Sequence, residues 1–245
     1  MSNLTSLRAI LKIETKANSD FVDVAIADAI RFVRSEALWF NGALHSFTTI
    51  EDQYRYKLPD DFLGLRGKVR VTPSSSSTSG RYAMQEGTTD EVEDQLYSGS
   101  DFGASQERGY AKKFAIEFFG KEMLIAPIPD PGGDLIEFKY TKDLGCPVYT
   151  VSTTSSASPS LSTTVTLLGP NGETLPSTFT NEWFGEGFKL IKERALYELF
   201  TRFHTGTEES VIGAQGALQR FLEELNRLRK EAAQQQSNMK VRKHL

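Results

Sequence analysis

"FTNEWFGEGFKLIKERALYELFTRF", residues 179–203, carries a helical pattern with apolar side chains on two sides. At 3.6 residues per turn, Phe184, Phe188, Ile191, Ala195 and Leu199 fall on one stripe, which Leu196, Phe200 and Phe203 widen. Trp183, Leu190 and Tyr197 recur at sevenfold spacing on roughly the opposite side. A surface helix of a monomer carries one apolar stripe and one polar face. A helix buried on all sides in its own domain is one way to use two apolar faces. However, Lys189, Lys192, Glu193, Arg194 and Glu198 are dispersed around the wheel and need water or ion partners. The economical expectation is that one face packs within the subunit. Trp183, Leu190 and Tyr197 would then face a neighbouring subunit.

Outward from this segment, helical signals occupy both ends of the chain. Leu4, Leu7, Ile10 and Leu11 have helical spacing. A second helix, capped by Ser19 or Asp20, presents Val22, Ile26, Ala29, Ile30, Val33 and Ala37 and stops at Asn41-Gly42. After "HTGTEE", Thr207 caps a last helix whose stripe is Val211, Ala214, Leu218, Phe221, Leu222, Leu225 and Leu228. The centre of the chain changes period. "SFTTIEDQYRYKLPDDF" predicts a hairpin with Tyr54, Tyr56 and Leu58 alternating. "LRGKVRVTP" predicts a strand, and residues 90–97 a short helix behind Thr89. Ala115–Phe118 and Met123–Ala126 flank Gly120-Lys121 as a second hairpin. In "DLIEFKYTKDL", Ile136, Phe138 and Tyr140 alternate with Leu135, Glu137, Lys139 and Thr141.

Runs of helices around runs of strands predict an α+β protein. The expected divisions are a helical part at 1–45 and 181–232 and an antiparallel β domain at 46–149. A Ser/Thr-rich loop or hairpin insertion is expected at 150–180, with a C-terminal arm at 233–245. The arm ends in "SNMKVRKHL", where Met239, Val241 and Leu245 alternate with Lys240, Arg242, Lys243 and His244. It reads either as a solvated terminus or as a segment that orders on a partner.

With 39% hydrophobic residues the chain has enough apolar content for a real core, and its formal charge of −4 argues against a general nucleic-acid binder. No apolar run reaches membrane-spanning length, so no membrane partner is expected, and the N-terminus has no signal-peptide pattern. The single cysteine, Cys146, fits a reducing compartment. Catalytic chemistry has little support. His45, His204 and His244 are scattered, with no second metal ligand spaced to help. Cys146 has no identifiable base, and Glu117, Glu122 and Glu137 lie where solvated strand faces are expected. No phosphate-binding loop is present. The expectation is therefore no catalytic residue, no metal and no cofactor.

Several local patterns occur together in order. An aromatic helix end, "LWFNG", precedes "FTT" and the strand "YRYKLPDDF". "LIAPIPD" precedes a tyrosine-containing strand, and "NEW" opens a helix containing "RALYEL". In this order the chain resembles the head-to-tail adaptor (connector, or head-completion) proteins of short-tailed bacteriophages, over about 160 of its 245 residues. The Ser/Thr-rich stretch at 150–178 and the glycines Gly185 and Gly187 depart from the pattern. The resemblance implies a structural virion protein of the head-tail neck, made in the host cytoplasm. The helices would form a bundle-like ring body with the β domain inserted. It implies a homo-oligomeric, dodecameric ring beneath the portal protein, docking a tail nozzle or tail tube protein. Phage DNA would pass through without specific binding. Residues 239–245 would then be a portal-binding arm. The rival expectation is a tail-associated carbohydrate- or receptor-binding module using Tyr82, Tyr97 and Tyr110. A cell-wall hydrolase is the enzymatic rival.

Overall fold

The computed structural model describes all residues except 1–2, 75–79, 98–107, 156–160, 170–171, 175–180, 203–206 and 242–245. It gives the backbone alone at 97, 151–155, 161–165, 167 and 235–241. The protein is α+β, and its described residues divide into two compact units. One comprises Met1–Asn41 and Asp143–Leu245, the other Gly42–Lys142.

The first unit begins with α1 (Leu4–Thr15) and α2 (Ser19–Val33). Asn3 caps α1 by accepting the Ser6 amide at 2.9 Å. Lys16, with φ of 54°, ends it in the left-handed conformation. The cap residue of α2 is Asn18, one position before the predicted Ser19. Arg8 of α1 forks onto the buried Asp23 of α2, with bonds of 2.5 and 2.7 Å. Asn41, fully buried, then closes the turn that leaves α2. Its side chain accepts the Leu38 amide and donates to the Glu36 carbonyl.

The chain next enters the second unit. In order come β1 (Gly42–Thr48), β2 (Arg55–Lys57), β3 (Phe62–Leu65), β4 (Arg70–Thr72), β5 (Tyr82–Ala83), β6 (Gln85–Glu86) and α3 (Thr89–Tyr97). Then follow β7 (Arg108–Gly109), β8 (Lys113–Glu117), β9 (Glu122–Ala126), β10 (Ile128–Pro129) and β11 (Leu135–Lys142). One sheet runs β1-β11-β4-β5, with β3 also on β11; the other runs β2-β9-β8-β6. Phe114, Met123 and Ile125 of the second sheet meet Ile136, Phe138 and Tyr140 of the first in a shared core. The alternate side chains Ala115, Leu124 and Ala126 lie under Val92 and Leu96 of α3. Side chains alternate across a strand, so β8 and β9 serve two cores at once.

The alternation expected in β11 is present, with Ile136, Phe138 and Tyr140 buried. The β8–β9 hairpin also forms, in the register Glu117 to Glu122. The hairpin expected around residues 47–58 does not. β1 pairs with β11, while β2 pairs with β9 in the other sheet. The tight turn between them, with Asp52 at φ 65°, changes sheets, and the Tyr56 hydroxyl holds it by donating to Gln53 O at 2.8 Å. The unit is also not purely antiparallel, as was expected, because β6 runs parallel to β8 and β10 parallel to β7. At α3, Thr88 and Glu91 form a reciprocal capping box, one position ahead of the predicted Thr89 cap.

Returning to the first unit, β12 (Val148–Ser155) and β13 (Leu161–Leu168) form an antiparallel ribbon paired along its whole length. Of the loop or hairpin expected at 150–180, the antiparallel ribbon is the hairpin alternative. Then come α4 (Phe188–Arg202) and the 34-residue α5 (Glu208–Val241). Helix α4 starts seven residues later than the aromatic pattern predicts. Residues 181–187 instead form a turn in which the Asn181 side chain accepts the Trp183 amide at 3.0 Å. Gly187 packs closely there, since a Cβ would sit 3.1 Å from Trp183 O and 3.2 Å from its ring, so any larger residue needs Trp183 to give way. The C-terminal arm, expected to be a solvated terminus or to order only on a partner, continues α5 through Val241; residues 242–245 lie outside the described part.

Candidate interaction surface

Trp183 and Leu190 are 1% and 0% exposed. Both belong to one core with Leu4, Leu7 and Leu11 of α1, Ile26 and Ile30 of α2, and Phe221 and Leu225 of α5. The Phe40 ring meets Trp183 edge to face at 5.5 Å. The expectation that these two residues face a neighbouring subunit is therefore corrected: α1, α2 and α5 enclose α4, and its second apolar face is internal. Tyr197 differs, being half-buried at the rim of a groove.

The charges dispersed round the α4 wheel are met by neighbouring helices. Glu193, 4% exposed, accepts from Arg220 of α5 at 2.8 Å. Glu224 of α5, 3% exposed, is held by Arg227 at 2.6 Å and by Lys189 of α4 at 3.3 Å. Arg202 joins Glu198 to Asp28 of α2. Arg194 pairs with Glu198 and lies 3.9 Å over the Phe32 ring and 5.0 Å from that of Tyr197. This cation-on-aromatic stack is what lets a polar residue occupy an enclosed helix.

Bonding to Arg227 above all, and then to Lys189, holds the Glu224 carboxyl below its ordinary value, against the effect of its burial. A depressed folded-state pKa adds stability above the unfolded value, about 4.5, that is lost as pH falls through the folded one. We expect Glu224→Gln to melt lower than wild type at neutral pH. The two melting curves, measured by circular dichroism, should draw together as the pH falls below about 4.5. A constant gap between them across that range would contradict the ion-pair account.

Among the described residues, single apolar side chains such as Ile13, Leu44, Ile50 and Ile212 are exposed, and two further apolar features each bring several together. The first is a groove of about 390 Å³ between α4 and α5 in the first unit. Tyr197, Phe200, Val211, Ala214 and Leu218 line it, with Val211 55% exposed. The second is the four-residue tip joining β8 to β9 in the second unit, where Phe118 is 64% exposed and Phe119 completely so. The sequence "FFGK" between two apolar strands carries the signal for that tip, since neither adjacent phenylalanine in a turn can follow the strand's inward alternation.

The groups considered for chemistry do not converge. Glu117 and Glu122 share Arg55 at 3.1 and 3.3 Å, whereas Glu137 pairs with Arg81 on the other sheet. Burial pushes the Cys146 thiol up, away from a reactive thiolate. His45 is half-buried against the Phe138 ring at 5.4 Å, and burial lowers its pKa. His204, His244 and the Tyr97 side chain lie outside the described residues. Tyr110 is half-buried, and Tyr82 is turned inward, donating to Ala111 O at 2.9 Å. Among the described residues no group of three His, Cys, Asp or Glu could hold a metal, and no helix is long and apolar enough to cross a membrane.

The backbone of Met239, Lys240 and Val241 lies in the last turns of α5, and Arg242, Lys243, His244 and Leu245 are outside the described part. Comparison with known proteins adds no family: no protein-family model matches the chain, and no curated protein matches it in sequence.

Proposed function

We propose that this chain is the subunit of a head-to-tail adaptor ring in the neck of a short-tailed phage. Helices form the ring body, the inserted β unit contacts the tail, and the C-terminal arm engages the portal. The observation that carries this reading is the α4–α5 hairpin. It keeps an apolar groove open to solvent, and α5 runs on well past Ala232, the last buried residue described on it. At about 1.5 Å per residue, nine further residues to Val241 make an arm of about 13 Å. An open apolar groove belongs to an interface more readily than to a monomer's free surface. The ordered likeness of "LWFNG", "YRYKLPDDF", "LIAPIPD" and "NEW" to such adaptors points the same way.

Negative-stain imaging of the full chain, with and without portal-bearing heads, tests the reading. Rings, alone or seated on the portal, are the expected result. Protein that stays monomeric in both conditions overturns it. The acidic chain should show no detectable affinity for duplex DNA at about 150 mM salt, because counterion release gives it no driving force. Sub-micromolar binding in a filter assay would contradict a channel wall past which DNA slides.

A further inference from the structure

We infer that the Phe118–Phe119 tip of one copy inserts into the α4–α5 groove of a neighbouring copy. This rests on the ring reading and identifies the contact that closes the ring.

Phe119 is wholly exposed at the end of a hairpin whose strands are pinned into a two-sided core. The Lys121 side chain donates to the Asp60 carbonyl in the segment between β2 and β3, and the Phe118 ring leans toward Phe62 at 6.4 Å. The aromatic pair is thus presented by an ordered tip, so little freedom remains to be lost on docking. The groove is open and mainly apolar, with Thr201, Ser210 and Gln215 completing its lining, and the buried Ala214 forms part of it. The Phe200 ring rests directly on the α5 backbone at Gly213, where an added Cβ would come within 3.1 Å of it. The groove's volume of about 390 Å³ accommodates aromatic side chains.

Lys121 is exposed within the tip, Glu117 and Glu122 flank it and share Arg55, and nearby Lys57 pairs with the exposed Asp60 at 3.3 Å. On the other side, the exposed Glu208 and Glu209 directly precede the groove residues Ser210 and Val211. In the proposed contact Lys121, the tip's own cation, approaches these glutamates.

Area then selects the kind of assembly. Two phenylalanines bury at most about 400 Å² together, roughly half of what each partner contributes to a stable interface. One such contact is weak. Knob and socket are different surfaces, so the contact is heterologous and propagates from copy to copy. Closure, which makes the last contact intramolecular, gives it strength. The expected product is a closed ring with few stable dimers.

The test places p-benzoylphenylalanine at position 119 of the full chain and irradiates a mixture of isotopically light and heavy protein. Light–heavy crosslinks from 119 to the peptide spanning residues 197–218 are expected. Phe119→Asp and Val211→Asp alter exposed positions, and circular dichroism should show both folded. Each should raise the concentration needed for assembly by about thirtyfold or more, the effect of losing one interface hot spot. Rings that form equally well with Phe119→Asp overturn this inference and leave the ring reading intact. Crosslinks into the groove from dimers or open chains that never close uphold the contact and overturn the ring. Protein that neither assembles nor crosslinks overturns both.

Discussion

Leu190→Asp should unfold the helical unit rather than merely disconnect subunits. Leu190 is fully buried between α4 and the helices around it. Replacing it removes a side chain worth about 2 kcal/mol of burial and leaves a cavity that the close-packed core cannot collapse. It also places a carboxylate where the neighbouring side chains are Leu, Ile, Trp and Phe. The combined cost of about 5 kcal/mol or more approaches the whole stability of an ordinary domain. Urea titration followed by circular dichroism should show loss of most helical signal without denaturant. Tyr197→Asp, at a half-buried rim position, should stay folded. A folded Leu190→Asp subunit that fails only to assemble would restore Leu190 to a subunit interface.

The contrast between these two positions shows where the sequence was legible. Periodicity located α1, α2, α4, α5 and β11, because each element's burial follows its own spacing. It also found the two apolar faces of α4. What covers the second face depends on where α1 and α2 lie, and that is a tertiary fact. Two short N-terminal helices, locked by Arg8 and Asp23, close a side that a wheel diagram leaves open. The charges that argued against full burial are absorbed by pairs reaching across helices, such as Glu193 with Arg220 over a separation of 27 residues. No local window contains both members. The misread hairpin at residues 47–58 has the same origin. Alternation predicts strands, but the choice between β2 and β11 as the partner of β1 lies in contacts about 90 residues away. At the β8–β9 tip, the sequence reads as strand through Phe118 with the turn at Gly120-Lys121, whereas β8 ends at Glu117 and both phenylalanines lie in the tip.

Removal of residues 233–245 should leave the fold unchanged and abolish attachment to the portal. Ala232 is the last buried residue described on α5, and Ala233 and Gln234 are exposed. A chain ending at Ala232 keeps the core residues Phe221, Leu225 and Leu228, the Arg229–Glu36 ion pair and every described pairing of α4 with α5. Its melting temperature should therefore lie within about 2 °C of the full chain, the scale of a surface change. The removed segment contains Met239, Val241 and Leu245 interleaved with Lys240, Arg242, Lys243 and His244. The backbone of α5 is helical through Val241, not extended. A helix also enters a groove with much of its backbone ordering already met, so docking costs less than the roughly 10 kcal/mol that ordering ten extended residues would require. Basic residues beside apolar ones suit a groove with an acidic rim, and attachment should weaken as salt is raised. Sedimentation of the truncated chain with portal-bearing heads should show attachment reduced at least about a hundredfold, as expected when several anchors are lost together. Ring formation in the same sample should persist, since the groove and the Phe118–Phe119 tip remain intact. Truncated protein that co-sediments as well as the full chain would show that the end of α5 is a solvated helix with no partner.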